Sequence, residues 1–112
     1  MRIHSYINNS GSDLIEKYIN SLTTDEQIDA YDVLTQLENG YLNTLHFKRW
    51  QGKIYEVYFY KHNRLFYVIV NNENIYLLHA CRKQKNKTEK RDSSIVQKRA
   101  KESGKILHQR FL

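Results

Sequence analysis

A chain of 112 residues with 40% apolar and 27% charged side chains and a net charge of +6 has the size and composition expected of one globular domain rather than a disordered chain, and a second domain is not expected. One cysteine, Cys81, excludes an internal disulfide framework and fits a reducing compartment. No apolar run approaches the roughly 18 residues of a membrane span, and no charged-then-apolar leader follows Met1, so the expectation is a single cytoplasmic domain over residues 1–112, away from any membrane.

The elements follow in chain order. "RIHSYI" alternates and predicts a first strand with Ile3, Ser5 and Ile7 on one face. "SDLIEKYINSL" sets Leu14, Ile15, Tyr18, Ile19 and Leu22 at helical spacing, with Ser12 as its N-cap. In "TTDEQIDAYDVLTQLENG" a capping box, Thr23 with Glu26 or Thr24 with Gln27, opens a second helix. Its predicted apolar stripe is Ile28, Tyr31, Leu34, Leu37 and Tyr41, and Gly40 stops it. From residue 44 the period shortens. "TLHFKRW", "KIYEVYFY", "RLFYVIV" and "IYLLHACRK" are rich in Tyr, Val, Ile and Phe and separated by turn-forming residues, which predicts an antiparallel meander. "SSIVQKRAKESG" returns to helix, with Gly104 as its stop. This order implies an α+β fold, the N-terminal helical hairpin packed on one face of the sheet and a basic helix at the C-terminus, with the second face left for function.

Charge is segregated along the chain. Residues 10–41 carry seven carboxylates and one lysine, whereas residues 82–105 carry ten Lys or Arg and three carboxylates. A basic segment of that density is the electrostatic footprint of a phosphate-binding protein, although a lysine-rich stretch also makes an ordinary solvated edge. Hairpin parity sorts the aromatic residues. A three-residue loop of Lys61, His62 and Asn63 puts Tyr55, Val57, Phe59, Leu65, Tyr67 and Ile69 on a core face. The opposite face then gathers Glu56, Tyr58, Tyr60, Arg64, Phe66 and Val68, with Arg64 at its rim. Arginine grips phosphate and aromatic rings stack unpaired bases, so this face suits single-stranded RNA; the bland alternative is a cross-strand ion pair between Glu56 and Arg64.

The stretch "GKIYEVYFYKHNRLFYVIVNNENIYLLHACRKQKNKTEKRD" resembles the phage-derived Gp49-like branch of the HigB/RelE toxin superfamily, and the order of elements agrees over nearly the whole chain. Gly52, Tyr55, Glu56, Arg64, Leu77, Leu78, His79, Lys83, Lys87 and Thr88 carry the match. Tyr58 stands where the family often has arginine, Gln84 where it has a lysine, Lys85 where it has threonine and Glu89 where it has proline.

The resemblance implies a RelE-like fold and a type II toxin–antitoxin ribonuclease that cuts mRNA on the 70S ribosome without metal or cofactor. It implies as partner a HigA-like helix-turn-helix antitoxin, in a heterotetrameric complex that binds operator DNA through the antitoxin. The chemistry implied is attack of a ribose 2′-OH on its own 3′ phosphate, which needs a base, an acid and cations. The catalytic candidates are Glu56, Arg64, Lys83, Lys85 and Lys87, with Glu56 or a crowded lysine as base; Tyr58, Tyr60, Arg82, Lys90 and Arg91 are RNA-binding candidates. The five histidines are scattered in sequence, and no hydrolytic metal cluster is expected. His79 reads as a hydrogen-bonded structural residue, His108 as a tail residue where some relatives place an acid–base group, and Cys81 as a packed thiol. The alternative function is a non-catalytic RNA-binding or interaction domain that keeps the RelE-like fold.

Overall fold

Strict alternation over residues 54–69 forces one set of side chains to each side of a sheet, and both sides turn out to be covered. The computed structural model describes residues 1–40, 47–82 and 88–112. Among these, the elements run β1 (Arg2–Ser5), α1 (Leu14–Asn20), α2 (Thr24–Glu38), β2 (Phe47–Gln51), β3 (Ile54–Phe59), β4 (Asn63–Ile69), β5 (Asn74–Arg82) and α3 (Lys90–Leu107). The sheet order is β1-β5-β4-β3-β2. The meander β2 to β5 is antiparallel as its turns dictate, but β1 lies parallel to β5, so the sheet is mixed. β1 and its parallel neighbour β5 are separated in the chain by α1, α2 and the strands β2 to β4, ample length for the crossover that parallel pairing needs. β2 lies at the far edge of the sheet, running opposite to β1.

The predicted parity of the hairpin holds, with the loop moved by one residue. Tyr58 pairs with Arg64 and Phe59 with Asn63, leaving Tyr60, Lys61 and His62 in the loop. Tyr60 and Lys61 have positive φ there, so Tyr60 leaves the sheet face to which the sequence had assigned it. Val57, Phe59, Leu65 and Tyr67 pack under α1 and α2 against Ile15, Ile19, Ala30, Val33 and Leu37.

The opposite face is not left open. Residues Ile54, Phe66, Val68, Leu78 and Cys81 form a second core with Val96 and Ala100 of α3 and with Phe111 of the tail. The basic helix buries a narrow line of small side chains, Val96, Ala100, Ser103 and Gly104, which lets it approach the sheet closely while Lys98, Lys101 and Lys105 stay in solvent. Gly104 therefore does not stop α3. The helix runs on to a left-handed His108, and the Gly104 carbonyl accepts the Gln109 N–H while the missing side chain makes room for the Gln109 carbonyl.

Two further expectations shift. Asp13, not Ser12, caps α1 through Glu16 N–H at 3.0 Å. Thr23 caps α2 through Glu26 N–H as one of the two predicted boxes requires. The buried line of α2 is Glu26, Ala30, Val33 and Leu37, whereas Ile28 and Tyr31 of the predicted stripe are 63% and 50% exposed. Glu26 can sit on this buried line because Asn63 and Arg82 of the sheet meet its carboxylate. Tyr41, like His46, lies outside the described residues.

Candidate active site

The register Glu56↔Phe66 and Tyr58↔Arg64 brings the predicted carboxylate and guanidinium together on the α3 side of the sheet. Glu56 sits between two cations, Lys48 Nζ at 3.2 Å from Oε1 and Arg64 Nε at 3.4 Å from Oε2. Tyr58 OH donates to Glu56 Oε1 at 3.2 Å and accepts from Arg64 Nη2 at 3.5 Å. Both cations also lie over the Tyr58 ring, Lys48 at 5.6 Å and Arg64 at 5.5 Å from its centre. Arg64 Nη1 donates to Thr88 Oγ1 at 3.0 Å. Glu56 and Arg64 are 1% and 3% exposed, so Arg64 is not at the rim of an open face as the sequence suggested; α3 and Thr88 close over it.

The Tyr58 hydroxyl, and then the Glu56 carboxylate, hold the Lys48 ammonium above its ordinary pKa. It stays a cation at neutral pH, a state suited to electrostatic donation rather than to a base. Lys48, Trp50, Gln51, Glu56, Arg64, Thr88 and Ser93 line a cavity of about 280 Å³. Sequence reasoning missed Lys48 and Trp50. Their signal was present only in the pairing of Lys48 with Glu56 across β2 and β3, a register that the apolar pattern of "TLHFKRW" does not specify.

The predicted cations divide. Lys83, Lys85 and Lys87 lie outside the described residues. Arg82, expected at the RNA, is half-exposed but ion-paired to buried Glu26 at 3.2 Å. Lys90 and Arg91 are exposed in the first turn of α3, and Tyr60 is exposed at the tip of the hairpin, away from the Glu56 cavity lining. His108 lines a separate groove with Lys101, Lys105 and Phe111.

One cluster is new. His79, Cys81 and Asp92, scattered in sequence, have their ligand-type atoms within 4.8 Å of one another. The hydrogen bonds assign its chemistry. Arg99 Nη1 donates to His79 Nδ1 at 3.3 Å, so the ring proton resides on Nε2 and is donated to Asp92 Oδ1 at 2.8 Å. A metal on Nε2 would put a proton on Nδ1 facing the guanidinium, so the trio fits a hydrogen-bond network better than a metal centre. Burial keeps His79 below its ordinary pKa and pushes the Cys81 thiol up to about 12, as for a packed, unreactive sulfur. The β-bulge between Phe66 and Tyr67 pairing frees the Leu78 carbonyl, which accepts from Arg99 at 2.9 Å. Strand β5 and helix α3 are thereby tied together beside the cavity.

No curated protein matches the sequence significantly. Residues 17–101 match the family described as "Phage derived protein Gp49-like (DUF891)", a span that holds Lys48, Trp50, Glu56, Tyr58, Arg64 and Thr88 as well as the basic tract. With most of its length and its whole polar cavity inside that match, the chain belongs to the phage-derived Gp49-like family, a toxin-like family of the RelE/HigB type.

Proposed function

We propose that this protein is the toxin of a type II toxin–antitoxin pair and an endoribonuclease that cleaves mRNA on the ribosome by metal-independent attack of a ribose 2′-OH. The observation that carries the reading is the Lys48–Glu56–Arg64 cluster, joined by Tyr58, in a cavity lined by Thr88, the residue that follows the lysine tract. Glu56 accepts the 2′-OH proton, while Lys48 and Arg64 stabilise the charge gathering on the phosphorane. Lys83, Lys85 and Lys87 add cations for the message backbone, and one of these lysines protonates the departing 5′ oxygen. A HigA-like helix-turn-helix antitoxin neutralises the protein in a heterotetrameric complex that binds operator DNA, and the site of action is the cytoplasm. No described helix is long and apolar enough to cross a membrane.

A second reading, a non-catalytic RNA-binding domain, draws support from the burial of Glu56 and Arg64 against each other. A programmed ribosome separates the two. The toxin reading expects cleavage of the A-site codon, products ending in a 2′,3′-cyclic phosphate or 3′-phosphate, and no cleavage when the nucleophilic hydroxyl is replaced by methoxy. Binding without cleavage of either message would favour the second reading, and cutting of the methoxy message would overturn the 2′-OH mechanism.

A further inference from the structure

Two N–H donors of different side chains converge on one neutral oxygen in the cavity. Trp50 Nε1 and Arg64 Nη1 each lie 3.0 Å from Thr88 Oγ1. Trp50 is held for this task by its surroundings. It is the extra residue of a β-bulge between Arg49 and Gln51, and its ring packs edge-on against buried Phe66 at 5.3 Å. Bulges re-aim a side chain out of register, and here the indole N–H is aimed into the polar cavity rather than at solvent. Thr88 is the first described residue after the lysine tract.

A threonine hydroxyl is a modest acceptor for an indole N–H and a guanidinium N–H together. A charged phosphoryl oxygen at the same point would gain from both donors and from the nearby Lys48 ammonium, which is the arrangement of an oxyanion-binding site. We propose that Trp50 and Arg64 form a binding subsite for a phosphodiester oxygen of the RNA chain, and that the Thr88 hydroxyl holds this position until the substrate phosphate displaces it. The inference deepens the ribonuclease reading and rests on it for the identity of the ligand. Trp50 becomes a catalytic residue that touches the reacting phosphate.

The chain contains one tryptophan, so a single indole N–H resonance reports on the subsite. In the isotope-labelled full chain, a 2′-methoxy oligoribonucleotide and inorganic phosphate are titrated separately, with sodium chloride at equal ionic strength as the reference. The subsite predicts a saturable shift of the indole resonance with both phosphates, at lower concentration for the oligonucleotide, and no comparable shift with chloride. An indole resonance that ignores both phosphates, or moves equally with chloride, overturns it; a response to inorganic phosphate but not to the oligonucleotide overturns the RNA assignment. Thr88→Val should bind the oligonucleotide several-fold more tightly, because the competing hydroxyl is gone, and unchanged or weaker binding overturns the displacement. Trp50→Phe should lower kcat on the ribosome by about 10²-fold with KM little altered; an unchanged kcat overturns the catalytic role, and if this variant fails to fold the titration of the unaltered chain decides. An indole that answers to phosphate in a protein that cleaves nothing keeps the subsite and removes the ribonuclease reading. Cleavage with a silent indole does the reverse.

Discussion

Glu26 and Arg82, 56 positions apart, meet at 3.2 Å where β5 ends, so the first cation of the basic segment is anchored to the acidic helix. Glu26 also accepts from Asn63 Nδ2 at 2.9 Å, and Asn63 in turn accepts from the Tyr18 hydroxyl. Arg82 is the last described residue before the lysine tract and Thr88 the first after it, and each is held by a side-chain contact. Donation from Asn63, foremost among its partners, holds the Glu26 carboxyl below its ordinary pKa. The stabilisation is therefore complete above the unfolded carboxylate value of about 4.3 and is lost as pH falls through the lowered folded value. Glu26→Gln should lower stability at neutral pH, measured by urea unfolding, and flatten the acid limb of the stability profile. An acid limb identical to that of the parent would refute the linkage.

Arg64→Ala should do two things at once. Cleavage falls by about 10²–10³-fold through loss of a phosphate donor, and the fold loses about 3–5 kcal/mol because Glu56 is left buried beside one cation fewer. Arg64→Lys retains the charge but not the fork that reaches Glu56, Tyr58 and Thr88 together, so it should recover more stability than activity. Denaturant unfolding paired with the ribosome assay reads both, and full activity in either variant would remove Arg64 from the chemistry.

The rotation of α2 is testable without any functional assay. Leu37→Ala removes a fully buried side chain and should cost about 2–5 kcal/mol. Ile28→Ala, in the same helix and apolar in sequence, should change stability by no more than about 0.5 kcal/mol. Comparable losses for the two would show that the predicted stripe, and not the observed one, faces the core.

His79 gives the protein a pH dependence of its own. Its neutral ring is part-buried with a fixed tautomer, and its folded pKa lies below the unfolded value of about 6.5. Above that value the ring is neutral in both states and contributes no slope. As pH falls from there towards the lowered folded pKa, the unfolded chain takes up the proton first and stability declines. His79→Gln can still donate to Asp92 and accept from Arg99, so this part of the slope should vanish with little loss of stability at pH 8. Unfolding curves at pH 5 to 8 check it, and an unaltered slope would place the titration elsewhere.

Sequence by itself determined the element order, the parity of the β3–β4 hairpin and the pairing of Glu56 with Arg64 on one face. These follow from local periods and turn lengths, which involve neighbours within a few residues. It also named the family through residues that recur at fixed spacing. Only the tertiary structure decided that α3 closes the second face, because Val96 and Ala100 in a cationic helix signal no more than a narrow apolar line. The rotation of α2 was likewise a tertiary matter: Ala30, Val33 and Leu37 face the core together with Glu26, which Asn63 and Arg82 meet from across the fold. Lys48, Trp50 and Thr88 join the site through strand register, a bulge and a helix start brought together across the fold. Such convergence has no periodicity to betray it, since each contact depends on where distant segments pack rather than on what adjoins them in the chain.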